Sequence, residues 1–258
     1  MSSIIYDYPK VFSDDSELRN FYIENGYVSI KNGIPREDID QIVSDLNYIL
    51  LPYAPDKVSP IDSAIIHLDK NDKEKLYQLN MALAKLSSLT KIPSVLSGYI
   101  NTITGKKVPQ IILNVSFLPS IPKDNRLIYD YHQESNYMRG FENVFNVHYP
   151  ILRSSNYENG TMSVLPKSHK LGTLDFHKSY AKEAHNSRAN LIPVDIEKIQ
   201  KNHEEIFNYL EIGDVVIFHK DLIHKSNYNA SEKTRLVGTI RVTTSYLTNW
   251  KELSSKEL

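Results

Sequence analysis

No cysteine occurs anywhere in the 258 residues. That absence excludes a disulfide framework, a thiolate zinc site and a cysteine nucleophile, so any metal has to sit on histidine and carboxylate. A charge excess is missing too: 30 Lys and Arg stand against 31 Asp and Glu, for a formal net charge of -1. With no broad field to draw in a polyanion, neither nucleic acid nor an anionic membrane is an expected partner, and a charged ligand must be met by local groups. No uncharged apolar run approaches the roughly 18 residues a membrane helix needs, and Met1 to Lys10 lack a basic start followed by an apolar stretch. These features predict a cytoplasmic protein. What is present, 41% hydrophobic and 24% charged residues, is ordinary globular material and enough of it for a sizeable core.

The first hundred residues read as mainly helical. Asp14-Asp15-Ser16 predicts the start of a short helix to about Glu24, after which Gly26-Tyr27-Val28-Ser29-Ile30 alternates like a strand. Pro35 stands at a first helical position, and Ile39, Ile42, Val43, Leu46 and Leu50 then recur at helical spacing until Pro52. Further helices are predicted over 72–89 and 94–103. From Val108 onward the texture changes to short runs that predict strands over 110–118, 127–132, 144–152, 161–165, 215–218, 222–226 and 234–246. Many short strands predict a sandwich or barrel, and the absence of a linker or internal repeat favours one unit in which helices buttress it. Residues 178–202, largely polar and including His185, interrupt the strand series and read as a mobile flap.

Tyr131-His132-Gln133-Glu134 lies at the end of a predicted strand, where residues two apart project to one side and can reach one ion together. A second histidine must close such a site. His224 follows the apolar run 215–218, and two His plus one carboxylate is the ligand set that leaves open positions on non-haem Fe(II). His-x-Glu alone is a weak signal among nine His. His67-Leu68-Asp69 is a decoy among predicted helices, and His219-Lys220-Asp221 reads as support for His224, with a competing ligand as the alternative. The discriminating residue is Arg235, eleven positions beyond His224 on the next predicted strand. A guanidinium pairs two-to-two with a carboxylate, so it can anchor the far end of a dicarboxylate whose other end chelates the metal. That co-substrate would be 2-oxoglutarate, with a remaining position for O2. A surface ion pair is the alternative for Arg235.

These residues resemble the phytanoyl-CoA dioxygenase family of Fe(II)/2-oxoglutarate oxygenases over much of the chain. Four segments match in order: Phe21 to Ile30 with Ile34-Pro35; Tyr131-His132-Gln133-Glu134; Glu158-Asn159-Gly160 with Val164-Leu165-Pro166-Lys167-Ser168-His169; and Gly213-Asp214 through His219, then His224-Lys225-Ser226, Asn229, Ser231 and Arg235. The resemblance implies a mainly β fold with flanking helices, a double-stranded β-helix (jelly roll, cupin-like) within a single domain 1–258. Residues 1–105 would be the helical buttress and 106–250 the jelly-roll core. It also implies Fe(II) on His132, Glu134 and His224, with Arg235 on the 2-oxoglutarate carboxylate. The implied activity is hydroxylation of a C–H bond in a small-molecule substrate, with release of succinate and CO2. Because Glu134 supplies a carboxylate, no ligand position is vacant for a halide and halogenation is disfavoured. Two departures stand out: Glu134 replaces the usual Asp, adding one methylene, and Lys167 replaces the usual Gly.

Further candidates follow from position. Asn114, after Ile111-Ile112-Leu113, could bond the co-substrate or be a buried Asn satisfied by backbone. Thr239 and Arg241 follow Arg235 at even spacing and so share its face. Thr239 is a candidate for the co-substrate, with core packing or an ion pair the alternative for either residue. His169 reads as structural. Tyr131, Tyr137 and Arg139 flank the metal motif and are candidates for the substrate pocket, against simple aromatic packing. The competing functional reading is a non-redox, cupin-like protein that binds small molecules or modifies sugars. Such a protein would not need Arg235 facing a metal.

Overall fold

The computed structural model describes residues 4–125, 128–138, 140–180 and 189–244. A short strand β1 (Tyr6–Asp7) precedes helix α1 (Asp15–Asn25), whose first turn is capped by the Asp14 carboxylate accepting from the Glu17 amide at 2.8 Å. The helix ends at Gly26, in the left-handed region at φ 79°, where an added Cβ would lie 2.3 Å from Nδ1 of His169. His169 donates through Nε2 to the Ile23 carbonyl at 3.1 Å, which agrees with a structural role. Strand β2 (Tyr27–Ile30) leads to α2 (Arg36–Leu50), α3 (Pro60–Asn71), α4 (Lys73–Leu83) and α5 (Ser87–Thr104). The β core comprises β3 (Ile111–Ser120), β4 (Val144–Pro150), β5 (Ser163–Val164), β6 (Phe176–Ser179) and β7 (Asn190–Pro193). Helix α6 (Ile196–Asn202) then precedes β8 (Ile206–Asn208), β9 (Val215–His219), β10 (His224–Lys225) and β11 (Arg235–Thr243).

The strands form a five-stranded sheet in the order β2-β9-β4-β11-β3 and a four-stranded sheet in the order β1-β8-β5-β10. This is the jelly-roll arrangement with flanking helices; the sheets do not close into a barrel. Period-two alternation gives the larger sheet two different faces. Its outer face sends Val147, Tyr149, Ile217, Leu236 and Ile240 into one core with helical residues such as Ile42, Leu46, Ile92 and Leu96. Each such side chain contributes about 1.5–3 kcal/mol on full burial. Toward one end of the inner face Tyr27, Val216 and Phe218 pack against Met162, Val164 and Leu210 of the opposite layer. At the other end the inner face turns polar. Register there sets Thr239 opposite His148 on β4 and Ser116 on β3, and Arg241 opposite Asn146 and Asn114. A face that carries polar groups cannot be sealed by apolar packing, so the site lies there.

Several expectations change. Helix α3 was not foreseen; Pro60 sits in its first turn, where a missing N–H costs nothing. The helix expected over 72–89 ends at Leu83, and a new one starts at Ser87 and runs through Pro93 to Thr104. The strand expected over 127–132 reduces to one antiparallel bridge between His132 and His224, with Leu127 outside the described residues. The 178–202 stretch is not a simple flap. Its described ends form the β6–β7 hairpin and α6, with Ile199 buried, while 181–188, including His185, lie outside the described residues. Among the described residues no helix is long and apolar enough to cross a membrane.

Candidate metal centre

The bridge that replaces the expected strand is what builds the centre. The amides and carbonyls of His132 and His224 exchange hydrogen bonds at 3.0 and 3.1 Å, which sets the two imidazoles side by side with ring centroids 4.2 Å apart. Gln133 keeps an extended backbone (φ -116°, ψ 138°) before a 3-10 turn opens at Glu134, so the carboxylate returns to the side of His132. Gln133 is fully buried; its amide nitrogen donates to the carbonyls of Gly172 and Asp221 at 2.9 and 2.7 Å, and its amide oxygen accepts from the Leu174 amide at 2.8 Å. It locks the motif to the loop that carries His224.

Ligand-capable atoms of His132, Glu134 and His224 lie within 4.8 Å of one another. Oε1 of Glu134 is 3.7 Å from Nε2 of His132 and 3.6 Å from Nε2 of His224. An ion bonded to each at about 2.1 Å needs neighbouring ligand atoms about 3 Å apart, so the two separations from Glu134 would close by about 0.6–0.7 Å on binding. The tautomers also fit. Nδ1 of His132 faces the Asp130 carbonyl at 2.6 Å and Nδ1 of His224 faces the Leu222 carbonyl at 2.9 Å. A carbonyl only accepts, so each Nδ1 carries the proton and each Nε2 turns a lone pair to the centre, as a metal ligand must.

Burial opposes charge on Glu134, but the Arg241 guanidinium favours it, and the carboxyl is held well below the usual carboxylate range. Burial, together with His132, lowers the pKa of His224 despite the opposing pull of Glu134. Both shifts favour the protonation states that bind a cation. The same donors could hold a ferrous ion without any thiolate.

Arg235 lies in the interior, 5% exposed, and not in a surface ion pair. Its Nε donates to the Asn159 carbonyl at 3.1 Å, while its Nη1 is buried with no partner. Burial lowers its pKa to about 10, which leaves it charged at neutral pH. The Glu158-Asn159-Gly160 turn thus acquires a purpose. Gly160 (φ 80°) brings it within reach of the Asn227–Asn229 backbone, where a Cβ would lie 2.4 Å from a carbonyl oxygen, and Asn159 presents its own carbonyl to Arg235. Thr239 shares the face of Arg235, and its hydroxyl is paired with that of Ser116 at 2.7 Å. Asn114 lies on the edge strand opposite Arg241 and is exposed, which removes the buried alternative for it.

Arg241 was placed on this face from sequence, whereas His148 and Asn146 were not singled out. Arg241 makes the ion pair weighed for it, and the partner is Glu134, at 3.0 Å from Nε and 2.8 Å from Nη2. His148 is buried with Nε2 unpartnered; burial first, then the charges of Arg235 and His224, push its pKa down to about 3. Asn146 has both amide atoms buried and unpartnered. The signal was the alternation Asn146-Val147-His148-Tyr149, whose polar members share one face.

Other candidates fall elsewhere. Tyr131 is a correction: it packs with Leu165, Ile199 and Ile223, under the Lys225 ammonium, because successive residues of an extended segment alternate sides. Tyr137 does border the centre, its ring 5.7 Å from that of His132, and its hydroxyl donates to the Ala189 carbonyl and accepts from the Leu191 amide. Tyr129 lies equally near His132, with ring centroids 5.7 Å apart. Arg139 lies outside the described residues. His67 is exposed on α3 beside Asn71, apart from the cluster. His219 accepts from the Asp221 amide at 3.1 Å and so shapes the loop before His224 rather than joining the ligand set.

Comparison with known proteins identifies the family and the fold. The phytanoyl-CoA dioxygenase (PhyH) family profile matches residues 22–237. The chain is 25% identical over 232 residues to the peroxisomal phytanoyl-CoA dioxygenase of Bos taurus, covering 85% of this chain and 65% of that protein. The match spans just under two thirds of the length of that relative. Among solved structures, EvdO2 from Micromonospora carbonacea var. aurantiaca, complexed with 2-oxoglutarate, superposes with a TM-score of 0.62 at 12% identity, covering 92% of this chain and 94% of that one. The epimerase SnoN, in complex with Fe3+, alpha ketoglutarate and nogalamycin RO, gives 0.58 at 12% identity, with 89% and 83% coverage. At these identities the structures speak to the fold.

Proposed function

Taking as premise that the chain belongs to the phytanoyl-CoA dioxygenase family, we propose that it is an Fe(II)- and 2-oxoglutarate-dependent dioxygenase. The reaction converts 2-oxoglutarate, O2 and a substrate C–H bond to succinate, CO2 and the hydroxylated product, with both oxygen atoms of O2 accounted for. His132, Glu134 and His224 hold the ferrous ion, which when bound supplies the redox chemistry that activates dioxygen. Arg235 receives the far carboxylate of 2-oxoglutarate. Its Nε is fixed on Asn159, so the free Nη1 points a charged donor without having to reorganise. His148, kept neutral, stands beside that carboxylate site, and Thr239 lines the same face. Low exposure of the three ligands and of Arg235 keeps bulk water from the reacting groups. Tyr129 and Tyr137, each with its ring 5.7 Å from that of His132, are the candidates to line the pocket of a small-molecule substrate. The whole chain reads as one such domain, acting in the cytoplasm without nucleic acid.

One observation carries this reading: two Nδ1–H groups committed to backbone carbonyls turn both Nε2 lone pairs on the point faced by Glu134 Oε1. A structural metal in a non-redox protein would not require a buried guanidinium with a free donor nearby. Anaerobic addition of Fe(II) and 2-oxoglutarate is expected to give a weak visible charge-transfer band, and aerobic incubation to give succinate. A protein that takes up iron and shows neither would refute the assignment.

A further inference from the structure

Glu134 is one methylene longer than Asp, and a longer carboxylate on a flexible stem can swing both oxygens onto one ion. Four of six positions would then be filled by protein, leaving two, whereas a chelating 2-oxo acid and dioxygen together require three. The backbone cannot prevent this, since it fixes only the base of the side chain, through the hydrogen bond from the Ser135 amide to the Lys220 carbonyl.

The side chain is restrained from the other sheet. Arg241 directs two donors, Nε at 3.0 Å and Nη2 at 2.8 Å, onto the same carboxylate oxygen, Oε2. The other oxygen, Oε1, is the one that faces both imidazoles. The β3–β11 ladder shifts register between Arg241 and Val242, the kind of bulge that re-aims a side chain beside a site. Arg241 is partly exposed, whereas the carboxylate it holds is buried.

We propose that Arg241 is a positioning residue that holds Glu134 to one-oxygen ligation and so keeps a coordination position free for the co-substrate. This rests on the dioxygenase reading above and deepens it. Arg241 takes Oε2 out of reach of the ion, and the extra methylene of Glu134 is what lets the carboxylate span from the imidazole pair to β11.

The test uses the full-length protein loaded anaerobically with Co(II), whose d–d absorption reports coordination number, followed by titration with 2-oxoglutarate. Arg241→Met is expected to bind Co(II) about as well as the parent, because a chelating carboxylate still grips the ion. Its affinity for 2-oxoglutarate is expected to fall about tenfold or more, equivalent to about 1.4 kcal/mol. Arg241→Lys, with one donor head in place of a fork, is expected to fall between the two and decides the matter if Arg241→Met does not fold. Variants with parental 2-oxoglutarate affinity and an unchanged Co(II) spectrum overturn the proposal, as does loss of Co(II) binding by the folded variant. Failure of the parent protein to bind Co(II) would instead strike the metal-site reading itself.

Discussion

Replacing Arg235 by Met separates a functional guanidinium from a structural one. Two terms act on the folded protein. The substitution loses a charge-assisted bond from Nε to the Asn159 carbonyl, about 1.5–3 kcal/mol, and relieves a buried Nη1 that has no partner, about 1–3 kcal/mol. These oppose one another, so the variant is expected within about 2 kcal/mol of the parent, against about 3–5 kcal/mol for breaking a satisfied buried ion pair. Co-substrate binding has no such offset. A carboxylate seated on Arg235 loses charge-assisted bonds with a combined contribution of about 3 kcal/mol or more, which lowers 2-oxoglutarate affinity about a hundredfold or more. Urea unfolding reads the first quantity, and titration of the anaerobic Fe(II) charge-transfer band reads the second. Affinity within about threefold of the parent would refute the co-substrate role. A destabilisation above about 4 kcal/mol would make Arg235 a structural residue instead.

His132→Ala removes one of three ligands, so 2-oxoglutarate-dependent succinate formation should vanish; unchanged turnover would remove His132 from the mechanism. His148, with a folded pKa of about 3 against about 6.5 unfolded, binds its proton only in the unfolded chain between those values. Stability should therefore fall as pH drops from about 6.5 toward 3, by up to about 1.4 kcal/mol per pH unit from this group. Denaturation midpoints across that range should flatten in His148→Gln, and an identical slope would contradict the burial argument. Lys167 occupies the left-handed region at φ 68°, where an L-residue is strained by about 1–2 kcal/mol. Lys167→Gly should raise stability by up to about 1 kcal/mol in urea unfolding, since the greater freedom of glycine in the unfolded chain takes back part of the gain. A clear loss would show that the turn is not strained.

Most of the metal centre was legible in the chain because its chemistry is local. His132-Gln133-Glu134 places two donors by backbone alternation alone, and His224 and Arg235 lie on successive predicted strands eleven positions apart. The absence of cysteine narrowed the ligand types further. Helix α2 was equally legible, since Ile39, Ile42, Leu46 and Leu50 keep one apolar stripe that the core buries. Lys167, which departs from the resemblance at a turn, keeps the left-handed backbone a glycine would have had. Tyr131, expected at the substrate pocket, lies on the side that alternation sets opposite to His132 and Glu134.

What the linear order could not supply was any relation across the two sheets. Arg241 could be placed on the same face as Arg235, but its partner Glu134 is 107 residues away, and only the stacking of one sheet over the other brings them together. His148 and Asn146 looked like polar residues in a strand until register set them opposite Thr239 and Arg241. Periodicity fixes a direction relative to the local backbone, and a site needs directions relative to one another. Those relative directions come from sheet pairing and the apolar packing behind it, in which every distant segment takes part.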